Sequence, residues 1–361
     1  MSVPTAISVE MRHAASPVPV PLFGKDLGAF RRALLRWYDK HRRDLPWRKT
    51  RDPYRIWLSE IMLQQTRVAA VLEHYRLFLA RFPNLEALAA APEDAVLAAW
   101  SGLGYYRRAR MLHRCAKELV QQQRSRFPQS AEGLRTLPGI GRYTAAAIAS
   151  MAFDEPIAVV DGNVERVLER LTGCDLTQPQ VWQRAQALLS PSRPGDFNQS
   201  MMELGATACL PRNPKCPTCP VRKWCVTQQW RQSSDEAITM ERRAPSPGKA
   251  LRLSPGRQVK KEVWCVLNQR DGHIRLVRRP SKSSLMPGMW ELPPLPQKPH
   301  RTPASAPWRT FRHSITITDF TVHVHRGPFS AARGRWIPLA NITHLPITGL
   351  TRKILRAAGI I

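Results

Sequence analysis

The stretch Leu137-Pro138-Gly139-Ile140-Gly141-Arg142-Tyr143-Thr144-Ala145-Ala146-Ala147-Ile148 decides how the chain is read. Gly139 and Gly141 permit a tight hairpin whose backbone can come close to a ligand. A helix beginning just after them offers free N–H groups and the positive end of its dipole, a suitable seat for a phosphate. The alanines that follow let a neighbouring helix pack closely. The plainer reading is an ordinary helix–turn–helix corner, so the surroundings must decide.

Upstream the pattern is helical. Residues 27–41 carry Phe30, Leu34 and Trp37 along one stripe, and Leu45-Pro46-Trp47-Arg48 ends that helix. Asp52-Pro53-Tyr54 opens the next one, with Asp52 as cap and Pro53 in the first turn. Further helices are expected over residues 67–81, 85–90, 92–100, 106–123 and 131–136. Few alternating β-branched runs interrupt them, so this part reads as all-α. In Trp57-Leu58-Ser59-Glu60-Ile61-Met62-Leu63-Gln64-Gln65-Thr66, helical spacing puts Trp57, Glu60, Ile61 and Gln64 on one face. Trp57 and Ile61 make that face largely apolar, and a carboxylate there is costly unless it binds something or stays protonated. Desolvation raises a carboxyl pKa, and such a group can donate a proton near neutral pH. The bland alternative is a helix whose polar edge happens to carry Glu60.

Downstream, Ile157-Ala158-Val159-Val160-Asp161-Gly162-Asn163-Val164 is a short apolar run ending in an acid just before a helix. Asp161 reads as an N-cap. The same backbone N–H groups that a capping Asp accepts from also keep a carboxylate ionised. An ionised Asp near a protonated Glu is the pair that splits a glycosidic bond. Cys209, Cys216, Cys219 and Cys225 follow within a short stretch. Four such thiols can hold a four-thiolate zinc or an iron–sulfur cluster, and spacing alone does not choose. Cys115, Cys174 and Cys265 are isolated and read as core residues.

Residues 228–257 are polar and rich in Ser and Pro, and read as a linker. Beyond them the pattern changes. Strands over residues 260–269 and 273–278 bracket Asp271-Gly272, a hairpin signal, and residues 311–325 alternate like strands. A helix over residues 350–358 completes a second domain of mixed α and β type.

The 361 residues allow two domains, and 55 Lys and Arg against 27 Asp and Glu give a net charge of +28. Residues 241–361 hold 22 of these basic residues against 5 acidic ones. That surplus argues for a polyanionic partner such as nucleic acid. No apolar run reaches the roughly 18 residues of a membrane span, so no membrane partner is expected. The first residues carry no basic-then-apolar export signal, and residues 1–25 read as a disordered leader. A reducing, intracellular setting follows as an expectation, in which the clustered cysteines bind metal rather than pair.

Together these motifs resemble the MutY family of adenine DNA glycosylases, and the hairpin resembles the helix-hairpin-helix of the wider DNA glycosylase superfamily. The likeness runs from about Leu27 to the C-terminus. Residues 57–66, the Gly102-Leu103-Gly104-Tyr105-Tyr106 turn, the hairpin, Val160-Asp161-Gly162-Asn163 and the four-cysteine spacing all occur in the family's order.

The resemblance implies a helical glycosylase domain over residues 26–227 with a [4Fe–4S] cluster, a linker, and a Nudix-like α+β domain over residues 258–361. It makes Glu60 the catalytic acid, Asp161 the stabiliser of the sugar cation, Asn163 its positioning partner and Tyr143 a neighbour of Glu60. Trp47, Arg48 and Gln199 match the pocket for a flipped adenine. Gln65 and Tyr105 match side chains wedged into the duplex, and Thr66 and Leu103 match close DNA contacts. Gly139 and Gly141 belong to the DNA-binding hairpin. Cys209, Cys216, Cys219 and Cys225 match the cluster ligands. Tyr143 stands where relatives like endonuclease III carry a lysine nucleophile; a tyrosine cannot form the imine, so no efficient built-in strand-cutting step is expected.

Pro287-Gly288-Met289-Trp290-Glu291-Leu292-Pro293 and Phe311-Arg312-His313 carry the Nudix-like resemblance, which implies recognition of 8-oxoguanine opposite the adenine. The family's Phe-Ser-His loop reads Ile315-Thr316-Ile317 here, Thr316 keeping a hydroxyl. Glu262 and Glu291 are the only glutamates after residue 241, too few for Nudix metal chemistry, so nucleotide hydrolysis is not expected. The expected partner is duplex DNA holding adenine opposite 8-oxoguanine or guanine, met by a monomer. The expected location is cytoplasmic and nucleoid-associated in a bacterium, nuclear or mitochondrial in a eukaryote. Two alternatives are a thymine or uracil mismatch glycosylase on the same scaffold and a non-catalytic iron–sulfur DNA-binding protein.

Overall fold

The computed structural model describes residues 26–233, 259–295, 306–315, 317–327 and 333–361. The expected leader, most of the expected linker and Thr316 lie outside the described residues.

The first part is helical: α1 Leu27–His41, α2 Pro53–Leu63, α3 Val68–Arg81, α4 Leu85–Ala90, α5 Glu93–Trp100, α6 Arg107–Gln122, α7 Ala131–Leu134, α8 Arg142–Ala152, α9 Gly162–Thr172, α10 Gln178–Leu188, α11 Pro194–Thr207 and α12 Val226–Ser233. Local chemistry sets several of their starts. Asp52 accepts from the Tyr54 N–H at 2.9 Å ahead of Pro53, and Thr177 and Gln180 form a capping box on α10. α12 runs on to Ser233, into the first residues of the span expected as a linker.

Two apolar cores divide this part. One is built from α2 to α8, around Trp57, Phe78, Trp100 and Ile148. The other joins α1 to α9, α10, α11 and the cysteine-bearing loop, around Phe30, Leu168, Phe197 and Trp224. α2 lies at the centre, buried from Ile56 to Met62 without interruption. Its environment therefore differs from the expected single apolar face. Ile56, Ser59 and Leu63 share a cavity with Glu60, while Trp57 and Ile61 turn to a different groove.

The second part contains two sheets. β1 Val259–Leu267 runs parallel to β7 Thr318–Arg326, with β5 Pro294–Leu295 and β6 Arg309–Ile315 on the outer edges, in the order β5-β1-β7-β6. The other sheet pairs β3 His273–Arg278 with β2 Gln269–Arg270, β4 Trp290–Glu291 and β8 Arg335–Pro338. The expected long hairpin is thus only the short β2–β3 ribbon around Asp271-Gly272. Its first strand breaks at buried Asn268, whose carbonyl accepts from Arg275 N, and β1 belongs to the other sheet. α13 Gly349–Ala357 packs Ile354 and Leu355 into the core of this part.

The two parts are joined by more than sequence. Met289 is fully buried in the first helical core. Arg110 Nη2 donates to the Pro287 carbonyl at 2.7 Å, and Arg278 pairs with Asp94 at 2.7 Å. Ser101 Oγ donates to the Ile347 carbonyl at 2.9 Å and accepts from Arg352 Nε at 3.1 Å.

Candidate active site

A cavity of about 530 Å³ opens where the two helical cores meet. Glu60, Tyr143, Asp161, Asn163, Trp47, Arg48, Gln199, Gln65 and Thr66 all line it, so side chains distant in sequence converge there. Glu60 enters from the middle of α2 and is 6% exposed. Burial pushes its carboxyl up to about 7, the neighbouring Asp161 adds to the rise, and a hydrogen bond from Tyr143 and the charge of Arg48 oppose it. At neutral pH a large share of Glu60 therefore carries a proton. Burial also lifts the Tyr143 hydroxyl well above its ordinary range, so it stays a donor.

Asp161 caps α9 as expected. Its Oδ1 accepts from the Asn163 and Val164 N–H groups at 2.9 and 2.8 Å, and Oδ2 accepts from Asn163 Nδ2 at 2.8 Å. Three N–H donors thus hold this carboxyl at the N-terminus of α9. Asn163 is itself fixed, because Arg166 Nη2 donates to its Oδ1 at 2.8 Å. α11 comes close behind it through Gly205, where an added Cβ would stand 2.6 Å from the Asn163 Cβ.

Trp47 forms the apolar wall, edge-on to Tyr75 at 5.2 Å between ring centroids. Arg48 lies over the Tyr38 ring at 5.5 Å and donates to Glu203 Oε2 at 2.8 Å. Arg43 grips the same carboxylate through N, Nε and Nη2 at 3.0, 2.9 and 2.7 Å. Glu203 is completely buried; burial alone would raise its carboxyl, but the hydrogen bonds from Arg43 and Arg48 hold it down at about 2. Sequence reasoning missed Glu203 and Arg43. The available signal was helical spacing: Glu203 follows Gln199 by one turn of α11.

Residues 58–191 match the model of the HhH-GPD superfamily of base excision DNA repair proteins. The chain is 31% identical to the solved structure of a thermostable thymine-DNA glycosylase, covering 57% of this chain and 98% of that one, with a TM-score of 0.54. The chain belongs to the HhH-GPD superfamily. Among its relatives, the adenine DNA glycosylase of Rattus norvegicus is 42% identical over 76% of this chain and 62% of its own length. That of Mus musculus is 41% identical over 79% and 64%. The chain thus spans less than two thirds of the length of these relatives.

In this HhH-GPD chain the hairpin lies beside a second groove of about 730 Å³, lined by Gln65, Tyr105, Arg107, Arg108, Pro138 and Gly139 among others. Gly139 needs its left-handed φ of 78°, and a Cβ there would stand 2.8 Å from the Met111 Cβ. Gly141 instead has extended backbone and nothing within 4 Å of an added Cβ. Gln65 and Tyr105 are exposed. Thr66 is half-buried between them and the cavity. Leu103, expected as a close DNA contact, has its side chain buried in the first core, while Tyr105 of the same turn is exposed.

Cys209, Cys216, Cys219 and Cys225 are all unpaired thiols lining one small cavity together with Arg170 and Arg222. Arg170 Nη1 lies 3.2 Å from the Cys209 sulfur. Burial pushes the Cys219 thiol up to about 12, and the other three lie within electrostatic range of it. Among the described residues no group of three or more Cys, His, Asp or Glu side chains is placed to hold a single metal ion. Among them, too, no helix is long and apolar enough to cross a membrane.

Proposed function

We propose that this chain is a monofunctional DNA glycosylase that hydrolyses the bond between adenine and its deoxyribose where adenine is mispaired with 8-oxoguanine or guanine. The observation that carries this reading is the meeting, in one cavity, of a carboxyl held at about 7 and a carboxylate ringed by three N–H donors. Adenine inside a duplex is out of reach, so the nucleotide is extruded into the cavity. Gln65 and Tyr105 fill the space it leaves, and the hairpin N–H groups hold a phosphate. Trp47 packs against the base, with Arg48 and Gln199 presenting polar groups to its edge. Glu60 gives its proton to the purine as the glycosidic bond breaks. The electron pair leaves with the base, and Asp161 stabilises the sugar cation that remains. Glu60, now a carboxylate, accepts a proton from the water that closes the reaction.

The cysteine cavity fits the iron–sulfur cluster that the resemblance implies, because four thiols surround one common space. Cys209, Cys216, Cys219 and Cys225 would hold the cluster, which fixes the loop carrying Lys215 and Arg222 beside Arg170 of α9. The second part of the chain would read the opposite base, acting with the helical part in a monomer. A thymine or uracil mismatch glycosylase is the second reading, favoured by the 31% identity to the thymine-DNA glycosylase structure. Adenine is preferred because the adenine glycosylases are closer and match much more of this chain.

Duplexes carrying adenine opposite 8-oxoguanine, adenine opposite guanine, thymine opposite guanine, and a normal adenine–thymine pair test this directly. Breaks at the adenine of the first two after alkali are the expected result. Breaks at thymine instead would replace this reading by the second. A brown protein with broad visible absorbance distinguishes the cluster from zinc.

A further inference from the structure

Arg108 stands between the two turns that carry Gln65 and Tyr105. Its Nη1 faces the carbonyls of Ile61, Met62 and Gln64, at 2.8 and 3.0 Å for the first two. Its Nη2 donates to Thr66 Oγ1 at 3.2 Å, and to the carbonyls of Leu103 and Gly104 at 3.2 and 3.3 Å. One guanidinium thus ties the C-terminal end of α2 and the turn after it to the Gly102–Tyr105 turn. The carbonyls at the end of α2 are the negative end of that helix, where a cation is favoured. The guanidinium lies between the Trp100 and Tyr105 rings, with centroids at 5.4 and 5.5 Å. Burial pushes its pKa down to about 10, which leaves it charged at neutral pH.

Both turns need holding. Gln65 and Tyr105 have φ of 56° and 47°, a left-handed conformation that non-glycine residues seldom adopt. Such a residue persists only where its surroundings over-determine it. The groups that over-determine both are the carbonyls and hydroxyl gathered on Arg108. Lysine keeps the charge but lacks the planar fork that reaches two turns at once.

We infer that Arg108 is the positioning residue that sets Gln65 and Tyr105 together as one unit, so that base extrusion depends on it while bond cleavage in the cavity does not. This rests on the proposed role of the two side chains in the duplex. It makes Arg108 act through Tyr105 and Gln65, at a distance from Glu60 and Asp161.

The test compares the full-length protein with Arg108→Lys and Arg108→Ala on two substrates under single turnover. One holds adenine opposite 8-oxoguanine, fully stacked. The other holds adenine opposite a stable abasic analogue, where extrusion opposes less pairing. The expected result is a loss of tenfold or more on the stacked substrate and less than threefold on the other, each relative to the unaltered protein. The fluorescence rise of 2-aminopurine placed at the target position should shrink in parallel. Combining Arg108→Lys with Tyr105→Ala should add little to the loss from Tyr105→Ala alone. Equal losses on both substrates, no loss on either, or fully additive effects in the double variant would overturn the inference. If Arg108→Ala melts too low to assay, Arg108→Lys and the double variant decide. If the unaltered protein releases no adenine from either duplex, the proposed function fails instead, and that outcome is separate from every Arg108 comparison.

Discussion

Two buried glutamates, one in α2 and one in α11, are pushed in opposite directions from the ordinary carboxyl range. Glu60 is 6% exposed and is pushed up to about 7; Glu203 is fully buried and is held at about 2. Burial acts in the same direction on both. The difference lies in their neighbours. Glu203 is met by two guanidiniums and a backbone N–H, with Arg43 and Arg48 both at hydrogen-bond distance. Glu60 has Tyr143 as its hydrogen-bond partner and the like charge of Asp161 beside it. Depth therefore does not decide which carboxyl can serve as an acid. The number of cationic donors does, and Arg48, which touches Glu203 and lines the cavity of Glu60, is shared between the two.

The comparison can be broken from either side. Replacing Glu60 by Gln removes the proton donor, and adenine release should fall by about a hundred- to ten-thousandfold, the usual contribution of general acid catalysis. Single-turnover rates, with duplex binding measured alongside, check this. Replacing Glu203 by Gln leaves two guanidiniums facing a neutral amide, one of them well shielded from water. Breaking a buried pair in this way costs about 3–5 kcal/mol of stability. A denaturant titration should register it, and the freed Arg48 should lower activity as well.

The pH dependence sharpens the contrast. Glu60 gains protons on folding, so its contribution to stability is present below about pH 4.5 and lost as pH rises through about 7. Glu60→Gln should therefore stabilise the protein at pH 8, by at most about 3 kcal/mol, and change little at pH 4. Activity of the unaltered protein should fall as pH rises through about 7. Glu203 has the opposite sign: its contribution is present above about pH 4.5 and is lost as pH falls toward 2. The smallest expected effect is that of Arg43→Ala. Arg43 is 40% exposed on its side chain, so solvent screens part of its pairing. A loss of about 1 kcal/mol is expected, visible as a modest fall in melting temperature.

What the sequence disclosed and what it hid follow from the range of the interactions involved. The Asp161 cap was legible because its donors lie two and three residues away. The hairpin was legible because glycine at 139 and the alanines of α8 are local requirements for a tight turn and close packing. The surroundings of Glu60 were misread, since periodicity marks an apolar face but cannot tell a central helix, apolar all round, from one with a solvent side. Glu203 escaped notice because Arg43 and Arg48 are 160 and 155 residues away. The burial of the Leu103 side chain was not legible, because the resemblance names a position in the turn and not the direction its side chain takes. The break at Asn268 was hidden because strand pattern reads continuously through a residue where the chain changes sheets.

Met289 has a consequence for how the molecule comes apart. A side chain from the strand-containing part completes the interior of the helical part, so neither half is finished alone. Cleaving the backbone between residues 233 and 259 would give fragments that stay associated and melt as a single transition. The helical fragment expressed by itself would carry an open apolar socket, prone to self-association and less tolerant of heating than the intact chain.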